Sequence, residues 1–438
     1  MHTLRVISMP AGSGSDRPAV KSPRRTQIAV GVALFALLVF TTITVFVRDA
    51  WPLESFQIGI YALLAASVLS RIRKKNERIA SGVIPSLVYF IPLWGLLQIF
   101  AHTTASTVET RSAVLKWGAL AAVFYLSQVI GRTAQARRNL LSAFLWFATL
   151  MAALCMTTLY TSAGRVLWLF PTGYPIAFAT FQYHANYAQF IELALPIALW
   201  RALQEGWQSW WYAPAGGILY ASVIGSASSA GTLICTAELL AMLVIGLIKL
   251  RDPESGGRTR STTAILVVIP IVAALFTVVV GWQNVWTHIR AGDEGDIGRR
   301  EFPLAALDMA MHRPLTGYGL GTFPEVYQRY AVRDLELYVN HAHNDWAEFA
   351  ADGGFPFLLL VLIPTAAAVP IAIRHPWGLG LIAVMLHACV DYPFPRPAVS
   401  GWIFLVLALL YMTRTSSLSM PRSVSSLKRE RPSPARPV

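Results

Sequence analysis

HAHNDWAEFAADGGFPFLLLVLIPTAAAVPIAI, His341 to Ile373, is the stretch on which the reading of the chain turns. Its first part carries His341, His343, Asn344, Asp345, Glu348 and Asp352. Its second part, from Phe355 to Ile373, has no charged residue. An apolar run of that length spans a hydrocarbon core about 30 Å thick at 1.5 Å per helical residue. The junction Gly353-Gly354-Phe355-Pro356 breaks the helix where the polar part meets the apolar one. The polar part is therefore held at a membrane surface.

Outward from this segment the same apolar texture recurs. The 438 residues are 55% hydrophobic and only 13% charged, with a mean hydropathy of +0.50, a balance foreign to soluble domains. Apolar runs fall at 28–47, 56–69, 83–100, 113–130, 140–160, 187–200, 213–224, 231–250, 263–282, 355–373, 378–390 and 400–412. The seventh and eleventh are short. The expected fold class is all-α, a polytopic membrane protein of about twelve transmembrane helices with one large loop outside. A net charge of +13 is explained by cytoplasmic loops facing anionic lipid, so membrane lipids and not nucleic acid are the expected partners. Cys155, Cys235 and Cys389 lie in apolar runs without metal-ligand spacing and read as small buried side chains.

Lysines and arginines fix the orientation. Of 36 in the chain, 25 fall in the two tails and in alternate gaps between apolar runs, which places both tails in the cytoplasm. The resulting division is a basic cytoplasmic tail at 1–27, transmembrane helices one to nine within 28–282, an outer loop at 283–352, helices ten to twelve within 353–413, and a cytoplasmic tail at 414–438 rich in Ser, Pro and Arg. No cleavable signal is evident, and the first helix reads as a signal anchor.

Chemistry concentrates in the outer loop, which holds six arginines, eleven acidic residues and four histidines. Phe302, Ala305, Ala306 and Met309 have helical spacing, and a glycine-rich turn follows from Pro314 to Phe323. His343 stands at the start of the next helix. A neutral imidazole so positioned can take a proton from a hydroxyl at ambient pH; His341 is its closest competitor. A zinc site from His341, His343 and Asp345 is disfavoured, because alternating spacing does not put ligands on one helix face. Arg299 and Arg300 open the amphipathic helix, where guanidinium forks can face an anion such as pyrophosphate. Glu192, Glu238 and Lys116 lie within membrane helices and are either functional or engaged in interhelical hydrogen bonds.

These residues resemble the O-antigen ligase and polymerase superfamily of bacterial envelope glycosyltransferases. The resemblance is carried by residues 339–356 around His343 and Asn344, by Arg299 with Pro314 and the turn 317–323, by 181–196 with Asn186, and by 387–393. It implies a GT-C-like helical fold, a periplasmic loop, and a multi-pass protein of the bacterial inner membrane. It also implies transfer of a glycan from undecaprenyl diphosphate to an acceptor hydroxyl such as that of lipid A-core, with no cofactor, metal ion or nucleotide sugar. His343 would be the general base and Arg299 would hold the diphosphate, with Arg300, His341, Asn344, Asp345, Arg165, Asn186 and Ser229 as substrate-binding residues. One departure stands out. Where the family carries a second diphosphate-binding arginine, this chain reads Ser226-Ala-Ser-Ser-Ala-Gly231, with Ser229 in its place, so either Arg165, Arg300 or Lys116 supplies the charge or activity is weak or lost. A polymerase and a protein-glycosylating ligase share these motifs. A secondary transporter and a non-catalytic homologue are the readings from other classes.

Overall fold

A computed structural model of the chain describes residues 25–72, 82–171, 177–204, 209–250, 296–333 and 338–418, with single positions at 269, 271 and 275. Among these residues the structure is helical, with only the isolated bridges Val166 to Phe170 and Phe178 to Phe181. The helices are α1 (Arg25–Ile43), α2 (Trp51–Ile72), α3 (Val83–Ser86), α4 (Ile91–Phe100), α5 (Thr107–Ile130), α6 (Ala134–Thr161), α7 (His184–Ala202), α8 (Ser209–Gly225), α9 (Ser229–Leu250), α10 (Asp296–His312), α11 (Phe323–Tyr327), α12 (Asp345–Arg374), α13 (Leu379–His387) and α14 (Pro397–Leu418). A 3-10 turn joins α3 to α4 without leaving the segment Val83–Phe100.

Seven helical segments among the described residues are long and apolar enough to cross a membrane: Arg25–Ile43, Trp51–Ile72, Val83–Phe100, Thr107–Ile130, Ala134–Leu159, Ser229–Ile248 and Asp345–Arg374. The other expected crossings correspond to α7, α8, α13 and α14, which are shorter or more polar. The run 263–282 lies outside the described residues, apart from the three single positions. Helix α7 shows why hydropathy alone undercounts. Every residue from Ala185 to Leu199 is buried, Asn186, Gln189 and Glu192 included. It is wrapped by α6, α8, α9, α13 and α14, so its polar side chains meet protein and not lipid.

Aromatic packing ties this inner layer together. Trp402 of α14 stacks on Phe144 of α6, centroids 4.4 Å apart, and meets the edges of Phe35 and Phe190 from α1 and α7. Of the cysteines, Cys155 and Cys235 are buried as expected, but Cys389 is exposed. It stands beyond the end of α13, in the turn that leads to α14, so the apolar run 378–390 is a short helix followed by a surface turn.

The stretch from α10 to the start of α12 has its own small core. The expected stripe of Phe302, Ala305, Ala306 and Met309 is buried on α10, against Phe323, Tyr327, Ala347 and Ala351 of α11 and α12. The glycine-rich turn then embraces α12 at its break. Gly354 has φ +68°, and a Cβ there would lie 2.7 Å from the Pro314 carbonyl oxygen. Phe355 donates its N–H to that carbonyl at 2.8 Å. Gly317 also has positive φ, and a Cβ on it would run into the Asp352 carbonyl. The two loops interlock backbone to backbone, which only glycine permits.

Candidate functional site

The site is built on the first turn of α12 and the turn after α13. Asn344 has extended backbone and accepts the Ala347 N–H at 3.0 Å, capping α12. Its amide donates to the Cys389 carbonyl at 2.8 Å. Asp345, fully buried, donates its N–H to the Ala388 carbonyl and accepts the Phe394 N–H at 3.0 Å. Both residues that open the helix thus hold the 388–394 segment against it.

That segment carries Asp391 and Tyr392 into contact with the two histidines. Asp391 is 2% exposed. Its Oδ2 accepts the Tyr183 hydroxyl at 3.0 Å and its Oδ1 accepts the Tyr392 N–H at 2.8 Å. So fixed, Oδ1 lies 3.7 Å from His343 Nδ1. His343 itself adopts φ +51°, a left-handed conformation rare for a side chain with a Cβ. The constraint aims its ring between Tyr392, centroid 5.0 Å away, and Phe302 of α10, 6.1 Å away.

His341 is held differently. Its Nδ1 meets Glu348 Oε1 at 3.0 Å, while Glu348 Oε2 accepts the Ala342 N–H at 2.8 Å. Its ring stacks on the same tyrosine, 4.4 Å from the Tyr392 centroid. His341, His343 and Asp345 are each directed to a different partner and form no joint ligand set. Among the described residues no group of three or more His, Cys, Asp or Glu could hold a metal ion.

Other residues singled out from sequence are placed as follows. Asn186 is buried, its amide donating to Gln189 at 2.9 Å and to the Tyr392 carbonyl at 3.4 Å, so it belongs to the cluster. Arg299 stands on α10 one turn before Phe302, the residue that meets His343; its side chain lies outside the described residues. Arg300 is exposed beside it, Arg165 is exposed after α6, and Ser229 is exposed at the start of α9. Ser228, not Ser229, caps that helix, accepting the Gly231 N–H at 3.2 Å. Glu192 meets His387 at 2.6 Å in an interhelical pair, whereas neither carboxylate oxygen of buried Glu238 has a hydrogen-bond partner among the described residues. Sequence reasoning does not mark Asp391 or Tyr183. The run 387–393 carries part of the resemblance, but only the fold brings its aspartate to an imidazole.

The arrangement is a buried, clamped carboxylate beside the Nδ1 of a half-buried imidazole. A family model described as O-antigen ligase matches residues 214–362. Over that stretch the chain is similar to the O-antigen ligase family. A search of curated proteins finds no match. The matched stretch runs from α8 into α12 and includes Arg299, the glycine-rich turn, His341 and His343. Asp391, Tyr183, Asn186 and Lys116 complete the site region from outside it. The family consists of glycosyltransferase-like enzymes acting on lipid-linked glycans, and with its apolar helices the protein is a multi-pass membrane protein.

Proposed function

We propose that this protein is a ligase that moves a glycan from undecaprenyl diphosphate to an acceptor hydroxyl, that of lipid A-core, at the periplasmic face of the inner membrane and without a metal ion. The His343 and Asp391 pair carries the reading. A carboxylate beside Nδ1 favours the tautomer with its proton on that nitrogen, leaving Nε2 with the lone pair that accepts a proton. The 3.7 Å separation is an ion-pair distance that tightens to a hydrogen bond when the imidazole becomes cationic.

In the reaction, the acceptor oxygen gives its proton to His343 and bonds to the anomeric carbon, while the bond from that carbon to the diphosphate oxygen breaks. Charge grows on the leaving diphosphate. Arg299 is the cation for that charge, and a cation fixed there lowers the transition state more than the ground state. Arg300, next in the chain and exposed, supplies the second positive charge that Ser229 does not. His341, tied to Glu348, orders the loop instead of moving protons.

The test is glycan transfer in membranes supplied with a lipid-diphosphate glycan and lipid A-core. Wild type should transfer and His343→Ala should lose roughly 10²- to 10⁴-fold in rate. Transfer undiminished in His343→Ala would sink the reading.

A further inference from the structure

A polar recess near the site is not used by the acid–base pair. A cavity of about 300 Å³ opens on the other side of His341, lined by Lys116 of α5 and by Glu109, Glu325, Glu348 and Asp352. This is the small end of the range for ligand sites, room for one sugar ring and not for a chain of them. Trp117 and Phe349 give it an apolar floor, which suits the C–H face of such a ring.

Two polar groups in its wall have no hydrogen-bond or ion-pair partner among the described residues. Asp352 is 6% exposed, and its Oδ2 accepts the Gly321 N–H at 2.7 Å. Its Oδ1 is buried with no hydrogen bond. Lys116, nine residues into α5, makes no ion pair among the described residues, although Glu348 and Asp352 stand near enough for their charge to act on it. Glu348 is already engaged by His341 and Ala342. The open valences are therefore an ammonium that donates and a carboxylate oxygen that accepts. Neighbouring hydroxyls of a sugar satisfy both at once. A diphosphate does not fit, since four carboxylates outnumber one ammonium.

Resting on the function proposed above, we propose that this cavity is the subsite for one sugar ring of the acceptor, with Lys116 donating to one ring hydroxyl and Asp352 Oδ1 accepting from another. The Tyr392 ring meets both His341, in the cavity wall, and His343, with centroids 4.4 Å and 5.0 Å away.

The experiment is saturation-transfer NMR of the full-length protein in detergent, with methyl glucoside and methyl glucosaminide as probes. Binding of fluorescent undecaprenyl diphosphate is measured alongside. Wild type should bind the glycosides. Lys116→Met and Asp352→Asn should each weaken that binding roughly tenfold, the worth of one charge-assisted hydrogen bond, with lipid-diphosphate binding unchanged. The assignment is overturned if wild type binds no glycoside, if both variants bind as wild type, or if they lose the lipid diphosphate and keep the sugar. Should Lys116→Met fail to elute as wild type does, the near-isosteric Asp352→Asn decides. Glycoside binding that depends on Lys116 in a protein that transfers no glycan would support the cavity and refute the ligase reading separately.

Discussion

Asp391 Oδ1 lies 3.7 Å from His343 Nδ1, although the membrane-crossing part of α12 and all of α13 separate the two residues along the chain. The carboxylate is immobilised before the imidazole needs it, by the Tyr183 hydroxyl and the Tyr392 N–H. Such prior clamping means that little rearrangement is required when charge develops on the ring.

Asp391→Asn removes the charge and keeps the shape. Its rate of transfer should fall roughly 10²-fold with the acceptor KM little changed, since the residue stabilises the protonated base and does not touch the acceptor. Tyr183→Phe, which loosens the clamp by one hydrogen bond, should cost about tenfold or less. Initial rates at varied acceptor concentration read both, and a loss confined to KM would contradict the role.

The two histidines should separate in kinetics. His343→Gln is expected to abolish transfer, whereas His341→Gln should keep a substantial part of kcat, because glutamine can still hydrogen-bond Glu348. Equal loss from both substitutions at equal expression would deny the distinction drawn from their partners.

Charge geometry at position 299 can be tested by grading the substitution. Arg299→Ala should lower transfer by roughly 10²- to 10³-fold, and Arg299→Lys should recover only part of it, as an ammonium lacks the planar fork for two phosphate oxygens. Ser229→Arg, placed on an exposed helix start, should leave affinity for the lipid diphosphate unchanged, because Arg300 already supplies the second cation. A clear rise in donor binding in Ser229→Arg would show that Arg300 does not fill that role.

Gly354→Ala tests the interlocked loops. At φ +68°, with the Pro314 carbonyl 2.7 Å from the new methyl, the substitution should cost roughly 1–3 kcal/mol. A lower melting temperature in detergent is the expected sign. The neighbouring substitution Gly353→Ala is not an equivalent control, because the Phe357 side chain crowds that position. A melting temperature equal to wild type in Gly354→Ala would mean that the break in α12 relaxes freely.

Much of the architecture is legible in the chain. Apolar runs place the helices, because a segment bathed in lipid must satisfy its backbone internally and present apolar side chains. The stripe Phe302, Ala305, Ala306 and Met309 marks α10, and the polar residues before Gly353 mark the start of α12. Local periodicity and local breaks are written in neighbouring residues. For α7 this logic fails in part: its Asn186, Gln189 and Glu192 are polar, yet the helix is deeply enclosed, since its solvent is other helices.

Asn344 and Asp345 show the same limit at the site. The family resemblance implies substrate contacts for both, and the fold directs both to backbone groups of residues 388–394. By itself the sequence determined that a histidine would sit at the mouth of a membrane helix, as chain-local hydropathy dictates. The aspartate beside that histidine, and the placing of Lys116 and Asp352 in the wall of one cavity, were decided only by tertiary structure. Contacts between α5, α12 and the turn after α13 depend on how helices pack, and packing distances are not encoded in the spacing of residues along any one helix.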